Sequence, residues 1–166
     1  MTNTSYEVHP IRPADLERLR RTDDAGRATK PCTATESGSP LRCCLRRIEA
    51  GEEIALVSYA PLARWVAETG AEPGAYAELG PVFIHAEDCG GPAEPGYPEV
   101  LHGLRVLRSY DAEGRILGGR LVETDATIDT VVAEQLADPA VALIHVRAVE
   151  YGCYLFELRR AGTAAA

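Results

Sequence analysis

Two residues near the carboxyl end of the sequence could do chemistry together: His145 and Cys153. A neutral imidazole within hydrogen-bond reach can take the proton of a thiol and leave a thiolate nucleophile. Histidine also titrates near neutrality, which suits a general acid or base. We therefore predict His145 and Cys153 as catalytic residues. The alternative is structural, because a free cysteine often packs as a small apolar side chain.

A second set of residues has the chemistry to hold a small anionic or enolic molecule. Guanidinium groups bind carboxylates through two parallel hydrogen bonds, and tyrosines supply hydroxyl and ring contacts. The predicted substrate-binding residues are Arg42, Tyr59, Arg108 and Tyr154. Arg108 has mostly apolar neighbours, so an internal ion pair with a residue such as Glu157 is the competing interpretation.

Residues of zinc-ligand type occur in the first half of the chain. His85 is followed by Cys89, and the adjacent Cys43 and Cys44 lie well before them. This spacing is loose, and glycine and proline surround Cys89, so we predict no metal site. The sequence also contains no glycine-rich phosphate loop, dinucleotide fingerprint, nucleophile elbow or His-Glu-x-x-His helix. We therefore predict no cofactor.

The elements that must position these residues are mostly strands. Strands are predicted within residues 6–11, 54–59, 76–85, 104–110, 115–122, 141–149 and 153–159. The apolar run at 54–59 is typical of a strand buried on both faces. Gly114 marks the turn of an antiparallel hairpin. Side chains alternate along a strand, so His145 and Arg147 share one face.

Helical spacing of apolar residues predicts up to four helices, near residues 13–21, 41–48, 62–70 and 125–137. Pro13 suits the first turn of the first helix, and Thr124 or Asp125 can cap the last. Because strands and helices do not alternate strictly, we predict the α+β class, with a largely antiparallel sheet and two to four helices. The length fits a single domain over residues 1–166, with a polar loop at 22–40 and a Gly/Pro-rich loop at 86–99.

Composition limits the classes of partner and the cellular compartment that we expect for this protein. The formal net charge of −8 argues against a nucleic-acid partner and an anionic membrane surface. No apolar stretch approaches the length of a bilayer span, and the first residues lack the pattern of a secretory signal. Five cysteines, two of them adjacent, predict free thiols in a reducing cytoplasm. Lys30 is the only lysine among 17 basic residues, a bias typical of a GC-rich bacterial genome.

Several short blocks of the sequence form a recognisable series. They are Pro-Leu-Arg-Cys-Cys-Leu at 40–45, Ala-Gly-Glu-Glu at 50–53, Leu-Val-Ser-Tyr at 56–59, Tyr76 with Gly-Pro-Val-Phe at 80–83, Arg-Ser-Tyr-Asp at 108–111, and His145 with Gly-Cys-Tyr at 152–154. In order and spacing this series resembles the bacterial family catalogued as domain of unknown function 1203. The resemblance covers most of the chain from residue 40 onward. It implies a common fold and brings no established activity.

The sequence departs from that family's pattern at three positions. Leu41 stands where the family commonly has cysteine, Ala77 where arginine is frequent, and Ala148 where asparagine is common. These departures indicate a divergent member of the family. They motivate the hypothesis that this member is specialised, for example in tailoring a bacterial secondary metabolite.

Three function hypotheses follow from these residues. The first is a small-molecule enzyme with a pocket lined by histidine, arginine and tyrosine, in which His145 is the general acid or base. The second is a non-catalytic protein that binds a small molecule or a partner through the same cavity, and the missing cysteine at Leu41 favours it. The third is an interaction role through an exposed apolar edge, with a homodimer that buries the His145 face.

Overall fold

Eight strands and three α-helices form the regular structure of this computed structural model, which describes residues 5–123 and 126–162. The strands are β1 Tyr6–His9, β2 Cys32–Thr33, β3 Glu53–Tyr59, β4 Gly80–His85, β5 Leu104–Tyr110, β6 Ile116–Glu123, β7 Leu143–Ala148 and β8 Tyr154–Arg160. The helices are α1 Pro13–Leu19, α2 Ala63–Thr69 and α3 Ile128–Ala137, and short 3₁₀ turns cover Gly74–Tyr76 and Glu99–Leu101. Every pairing between these strands is antiparallel, which confirms the predicted α+β class.

Residue contacts divide the chain into two compact units. The first unit comprises the described residues of Met1–His9, Pro61–Glu78 and His102–Ala166. The second comprises Pro10–Ala60 and Leu79–Leu101. The first unit therefore contains β1, α2, α3 and β5 to β8, and the second contains α1 and β2 to β4. A single domain over residues 1–166 stays a prediction.

The first unit contains a five-stranded sheet in the order β1-β8-β7-β5-β6. Its β5–β6 hairpin is the predicted one, and Gly114 forms the turn with a φ of 79°, a left-handed value that favours glycine. A Cβ at Gly114 would also lie 2.9 Å from the Cβ of Pro73, so the turn leaves no room for a side chain. Strand β7 is central, so its side chains have neighbours from β5 and β8 on either side.

The two faces of this sheet differ in chemistry. One face is apolar and carries the fully buried side chains of Leu107, Val146 and Phe156. Helix α3 packs on this face, where the Gln135 amide donates to the carbonyl of Leu107 and to the hydroxyl of Ser109. Side chains alternate along a strand, so the residues between these positions lie on the opposite face, which is polar.

The second unit contains a smaller sheet in the order β2-β3-β4. Ala55, Val57 and Tyr59 of β3 are buried, but Leu56, between Ala55 and Val57, is 56% exposed. The prediction that residues 54–59 are buried on both faces is therefore wrong. The strand has one open face, as is common in antiparallel sheets.

One further local prediction is wrong in the second unit. Residues 41–48 have buried side chains at helical spacing, yet they form a turn, because Leu45 has a left-handed φ of 59° that a helix cannot accommodate. The predicted polar loop at 22–40 contains β2 and a buried carboxylate. That carboxylate, Asp23, accepts hydrogen bonds from the backbone N–H groups of Ala25 and Arg27.

The remaining helices follow the sequence prediction closely. Helix α1 begins at Pro13, and α2 ends at Gly70, whose φ of 72° closes the helix. Helix α3 begins at Ile128, and its predicted caps, Thr124 and Asp125, lie outside the described residues. Within the described part of the chain, no helix has the length and hydropathy needed to cross a bilayer.

Candidate functional site

His145 lies at the centre of the polar face of the first unit. Its position on β7 is directly opposite Glu157 on β8 and Arg108 on β5. Residues that face each other across antiparallel strands point to the same side of the sheet. Three ionisable side chains from three neighbouring strands are thus placed side by side, and the sequence pattern alone had placed only His145 and Arg147 there.

The imidazole of His145 is completely buried and forms a pair with Glu157. Its Nε2 lies 3.3 Å from Glu157 Oε2. Burial lowers the pKa of His145, and the hydrogen bond with Glu157 only partly opposes this, so the ring is neutral near pH 7. With Nε2–H donating to the carboxylate, Nδ1 becomes the acceptor nitrogen. Nδ1 is buried and has no hydrogen-bond partner among the described residues.

Glu157 begins a chain of alternating charges that connects the sheet to α2. Burial alone would raise the pKa of Glu157, but the hydrogen bond from His145 and the charge and hydrogen bond of Arg159 hold it below its ordinary value. Arg159 donates Nε to Glu157 and Nη1 to Glu68 Oε2 at 2.6 Å. Its guanidinium also lies 4.9 Å from the centre of the Trp65 ring. Each buried charge in this series from Glu157 to Glu68 therefore has an opposite charge beside it.

Two arginines of the polar face share one carboxylate. Arg147 Nη2 pairs with Glu78 Oε1, and Arg108 Nη1 lies 3.6 Å from the same oxygen. The side chain of Arg147 is only 6% exposed, and burial lowers its pKa. Arg147 Nη1 donates to the Gly152 carbonyl at 2.7 Å, whereas its buried Nε has no hydrogen-bond partner in the described part of the chain. This pair of guanidinium groups has more donors than its protein partners use.

Two tyrosine rings enclose the imidazole of His145. The Tyr110 ring centre lies 4.6 Å from that of His145, and the Tyr154 ring meets it edge-on at 5.0 Å. The Tyr110 hydroxyl accepts a hydrogen bond from Arg108 Nη1 at 3.3 Å. Burial raises the pKa of Tyr110, so its hydroxyl stays protonated at neutral pH. The predicted residues His145, Arg108 and Tyr154 are thus brought together on one face.

Cys153 is not brought to His145. The backbone N–H of Ala148 donates to the Cys153 carbonyl, which places the cysteine three positions along β7 from the histidine. The Cys153 thiol points to the Tyr151 carbonyl at 3.8 Å. The expected His145–Cys153 contact is therefore wrong, because the strand register puts Glu157 opposite the imidazole.

The partner of Arg108 also differs from the one that its sequence neighbours suggest. Glu157 is the expected example of an internal partner, whereas the carboxylate near Arg108 is that of Glu78.

The other two predicted binding residues, Arg42 and Tyr59, belong to the second unit and are both buried. Arg42 donates Nη1 to the Pro40 carbonyl at 2.6 Å, which gives its guanidinium a backbone partner.

A second constellation lies in the second unit and consists of Cys43, Cys44, His85 and Cys89, which we call the cysteine–histidine cluster. Its three sulfurs and a ring nitrogen of His85 all lie within 4.8 Å of one another. The turn at Leu45 directs both adjacent cysteines towards the end of β4, where His85 is the last residue. The sequence contained the signal, namely a cysteine pair and a His-x-x-x-Cys segment, but not the fold that joins them.

The electrostatics of this cluster differ between the two adjacent sulfurs and favour negative charge on Cys44. The hydrogen bond from Cys43 and a backbone N–H from Arg46 lower the pKa of the Cys44 thiol to about 5, whereas the same sulfur–sulfur contact and burial raise that of Cys43. On the far side of the imidazole, His85 Nε2 lies 3.3 Å from Glu52 Oε1. The hydrogen bond from Arg46 lowers the pKa of Glu52 to about 2, so this carboxylate is ionised.

Comparison with known proteins gives a family. Residues 38–160 match the model of the family described as "Protein of unknown function (DUF1203)". No curated protein and no solved structure matches the chain. The matched range contains every residue of the cysteine–histidine cluster and also Glu78, Arg108, His145, Arg147 and Glu157. The match spans most of the chain, so the protein belongs to the DUF1203 family.

Proposed function

We propose that the polar face of the first unit binds a small carboxylate-bearing molecule and that the protein acts on this molecule as an enzyme. The observation that carries the proposal is the pair of guanidinium groups, Arg108 and Arg147, that share the single carboxylate of Glu78. Two cations and one anion leave an excess of positive charge at this point. A ligand carboxylate would supply the second anion with the geometry that guanidinium groups prefer.

Glu78 is the group that such a ligand would join or displace. It follows the 3₁₀ turn Gly74–Tyr76, in a segment without helix or strand, and its side chain is 36% exposed. Arg147, in contrast, is held inside by its strand and by the Gly152 carbonyl. A buried guanidinium requires an anion. Here the arginine is fixed, and the residue that supplies the anion lies at the surface.

His145 would give this site its chemistry. Its ring is neutral near pH 7, and the hydrogen bond between Nε2–H and Glu157 leaves Nδ1 to accept a proton. In the proposed reaction Nδ1 takes a proton from the bound molecule, and Arg108 stabilises the negative charge that develops. Glu157 then stabilises the imidazolium, because the carboxylate is already hydrogen-bonded to it.

The alternative function is non-catalytic binding, and a specific observation favours it. The side chain of His145 has no exposed surface, and the two tyrosine rings pack against it. A ligand reaches Nδ1 only if one of these rings moves. If neither ring moves, the arginines bind the ligand and the histidine only supports the strand beside them.

The binding proposal is tested by thermal unfolding with a panel of small mono- and dicarboxylates and their neutral amides. A carboxylate that binds the folded state raises the melting temperature. We expect Arg147→Gln to weaken binding about tenfold or more, because a hydrogen bond to a charged group contributes about 1.5–3 kcal/mol. The matched control is Arg120→Gln, which removes an arginine from an exposed pair with Glu134 in the same unit.

A third variant, Glu78→Ala, makes the test decisive. Removal of the shared carboxylate leaves both arginines without it, so acetate should stabilise this variant more than the wild-type protein. The proposal is rejected if carboxylates stabilise neither protein. Once a ligand is identified, His145→Gln separates the two functions. A variant that binds the ligand but no longer turns it over indicates an enzyme, and unchanged turnover removes the proposed role of His145.

The compartment and the partners belong to the same proposal. All five cysteines are free, which supports a reducing compartment such as the cytoplasm. The net charge of −8 supports a small molecule rather than nucleic acid as the ligand, and the tailoring of a bacterial secondary metabolite remains our proposed context. A homodimer is also proposed, because Leu117 and Leu121 on the edge strand β6 are exposed. Size-exclusion chromatography with light scattering tests it.

A further inference from the structure

The cysteine–histidine cluster has the dimensions of a tetrahedral metal site. Zinc bonds of about 2.3 Å to sulfur and about 2.0–2.1 Å to nitrogen place two sulfurs roughly 3.8 Å apart, and a sulfur and a nitrogen roughly 3.5 Å apart. The two sulfurs of Cys43 and Cys44 are 4.0 Å apart. Their distances to His85 Nδ1 are 3.4 and 3.7 Å. We propose that Cys43, Cys44, His85 and Cys89 bind one zinc ion.

A disulfide and ordinary thiol packing both fit the contacts of the cluster less well than a metal does. A disulfide requires sulfurs about 2.05 Å apart, and Cys43 and Cys44 are at almost twice that distance. Ordinary packing of thiols places sulfur against apolar groups. Here the backbone N–H of His85 donates to Cys43 Sγ at 3.2 Å, and that of Arg46 donates to Cys44. Backbone donors directed at sulfur stabilise the thiolate form, which is the form that binds metals.

The outer side of the histidine is arranged as in metal sites. A metal-bound histidine usually donates its other ring N–H to a carboxylate, which fixes the ring and its tautomer. With Nδ1 directed at the sulfurs, His85 Nε2 lies 3.3 Å from Glu52 Oε1 and 3.2 Å from Arg46 Nη2. A guanidinium accepts no hydrogen bond, so in the metal-binding tautomer the Nε2–H donates to Glu52. Arg46 forms an ion pair with the same carboxylate and so orients it. Glu52 is therefore a positioning residue for the proposed site.

The donor set identifies the class of metal and its role. Three thiolates and one imidazole suit zinc, whereas calcium and magnesium require oxygen ligands. Four protein ligands fill a tetrahedron and leave no position for substrate, which is typical of a structural site. The ion would connect the turn at residues 43–44 to the end of β4 and the segment that follows it. In a unit whose sheet has three strands, one of them two residues long, such a connection stabilises the fold.

Metal content of the full-length protein tests the proposal directly. The protein is produced in zinc-supplemented medium, purified under reducing conditions and desalted, and its metal is measured by plasma mass spectrometry. We expect about one zinc per chain for four protein ligands. Cys89→Ser should lose most of this metal. The controls Cys32→Ser and Cys153→Ser, which alter cysteines outside the cluster, should keep it.

A second measurement uses only the wild-type protein and so does not require any variant to fold. The wild-type protein is stripped with a chelator and titrated with cobalt(II), whose thiolate charge-transfer band and strong visible bands report tetrahedral sulfur ligation. Appearance of these bands, with recovery of the melting temperature on addition of zinc, supports the site. Folded, reduced protein that contains no stoichiometric zinc and binds neither zinc nor cobalt overturns it. The same conclusion follows if Cys89→Ser retains full zinc content.

The positioning role of Glu52 has its own readout. Glu52→Gln should lower zinc affinity about 10- to 100-fold, as is typical when the outer partner of a metal-bound histidine is removed. Competition with a chromophoric chelator measures this affinity, and the cobalt spectrum shows that the four ligands are retained. Glu53→Gln, a change at the next residue, whose side chain binds Thr33, is the matched control and should leave zinc affinity unchanged. Equal affinity of the two variants contradicts the role of Glu52.

Discussion

The polar face of the first unit and the cysteine–histidine cluster of the second both bury ionisable groups, but they balance charge in different ways. On the polar face, Glu157 lies beside Arg159, and Arg159 lies beside Glu68. In the cluster, three sulfurs and an imidazole face one another. The adjacent Arg46 forms an ion pair with Glu52, so its one positive charge is shared between this carboxylate and the Cys44 sulfur.

This difference indicates what each region requires from outside the chain. A network whose charges are already paired needs no ligand and holds its strands and helix in place. Three sulfurs with only this shared counter-charge can accept a further cation, and with zinc bound in the proposed site the stability of the cluster should depend on metal. Arg147 and Glu78 lie between these extremes, because the arginine is buried and its anion lies near the surface. That intermediate position is why we place the ligand site there.

The largest effect is expected from Glu157→Gln, which removes the negative charge between His145 and Arg159 and keeps the size of the side chain. Breaking one partner out of a buried ion pair costs about 3–5 kcal/mol of the free energy of unfolding. We expect the lower end of this range, because Arg159 keeps Glu68. Urea unfolding at pH 7 measures the loss.

A control variant and a second measurement in the presence of a chelator extend this comparison to both regions. Glu134→Gln breaks an exposed pair with Arg120 and should cost about 0–1 kcal/mol. The loss in Glu157→Gln should be the same with and without chelator, whereas a cluster variant should differ from wild type only when metal is present. A cost below about 1 kcal/mol for Glu157→Gln would show that the network is not the stabilising element described here.

The sequence predicts local structure in this protein better than it predicts partners. The hairpin around Gly114 and the strand that carries His145 follow from alternation and turn chemistry, and both are present. The residue opposite His145 depends on the register of β8, which no local pattern specifies, so the sequence pairs the imidazole with Cys153 and the structure pairs it with Glu157. The helix predicted from the apolar spacing at residues 41–48 is absent for a related reason. Four buried side chains at that spacing also fit a turn, and the left-handed Leu45 selects it.

The cysteine–histidine cluster shows the same limit more strongly. Its ligands come from two segments that are far apart in sequence, and the bridge between Leu41 and Phe83 of β4 together with the turn at Leu45 brings them together. Neither the cysteine pair nor the His-x-x-x-Cys segment is a recognised metal motif by itself. The absence of a metal site therefore stays a prediction from the sequence, and the geometry motivates the opposite proposal.

A smaller effect is expected from pH, and it reports on histidines of the first unit. An unfolded histidine takes up a proton near pH 6.5, whereas the folded state holds the pKa of His145 lower, so the unfolded state binds more protons below that pH. Stability is therefore present above pH 6.5 and is lost as pH falls, by at most about 1.4 kcal/mol per pH unit for one group. Burial and the charge of Arg64 also lower the pKa of His9, which adds to the loss.

His145→Gln isolates the contribution of the buried imidazole. The variant cannot take up the proton, so its stability should fall less than that of the wild-type protein between pH 7 and pH 5, by about 1–2 kcal/mol. Urea unfolding at the two pH values, with His9→Gln measured in parallel, gives the difference. If His145→Gln loses as much stability as wild type over this range, the imidazole is not held neutral by the fold.

The smallest effect is expected from Cys153→Ser, which tests the first chemical hypothesis that the sequence suggested. The thiol is partly exposed and donates to the Tyr151 carbonyl, a hydrogen bond that a serine hydroxyl can replace. Away from the core and from both buried networks, such a change should alter the free energy of unfolding by less than about 0.5 kcal/mol. Zinc content and carboxylate binding should equal those of wild type. If this variant loses turnover but still binds the ligand, Cys153 is the nucleophile after all. In this register His145 faces Glu157 and cannot activate the thiol, so that result would also require β7 and β8 to rearrange during the reaction.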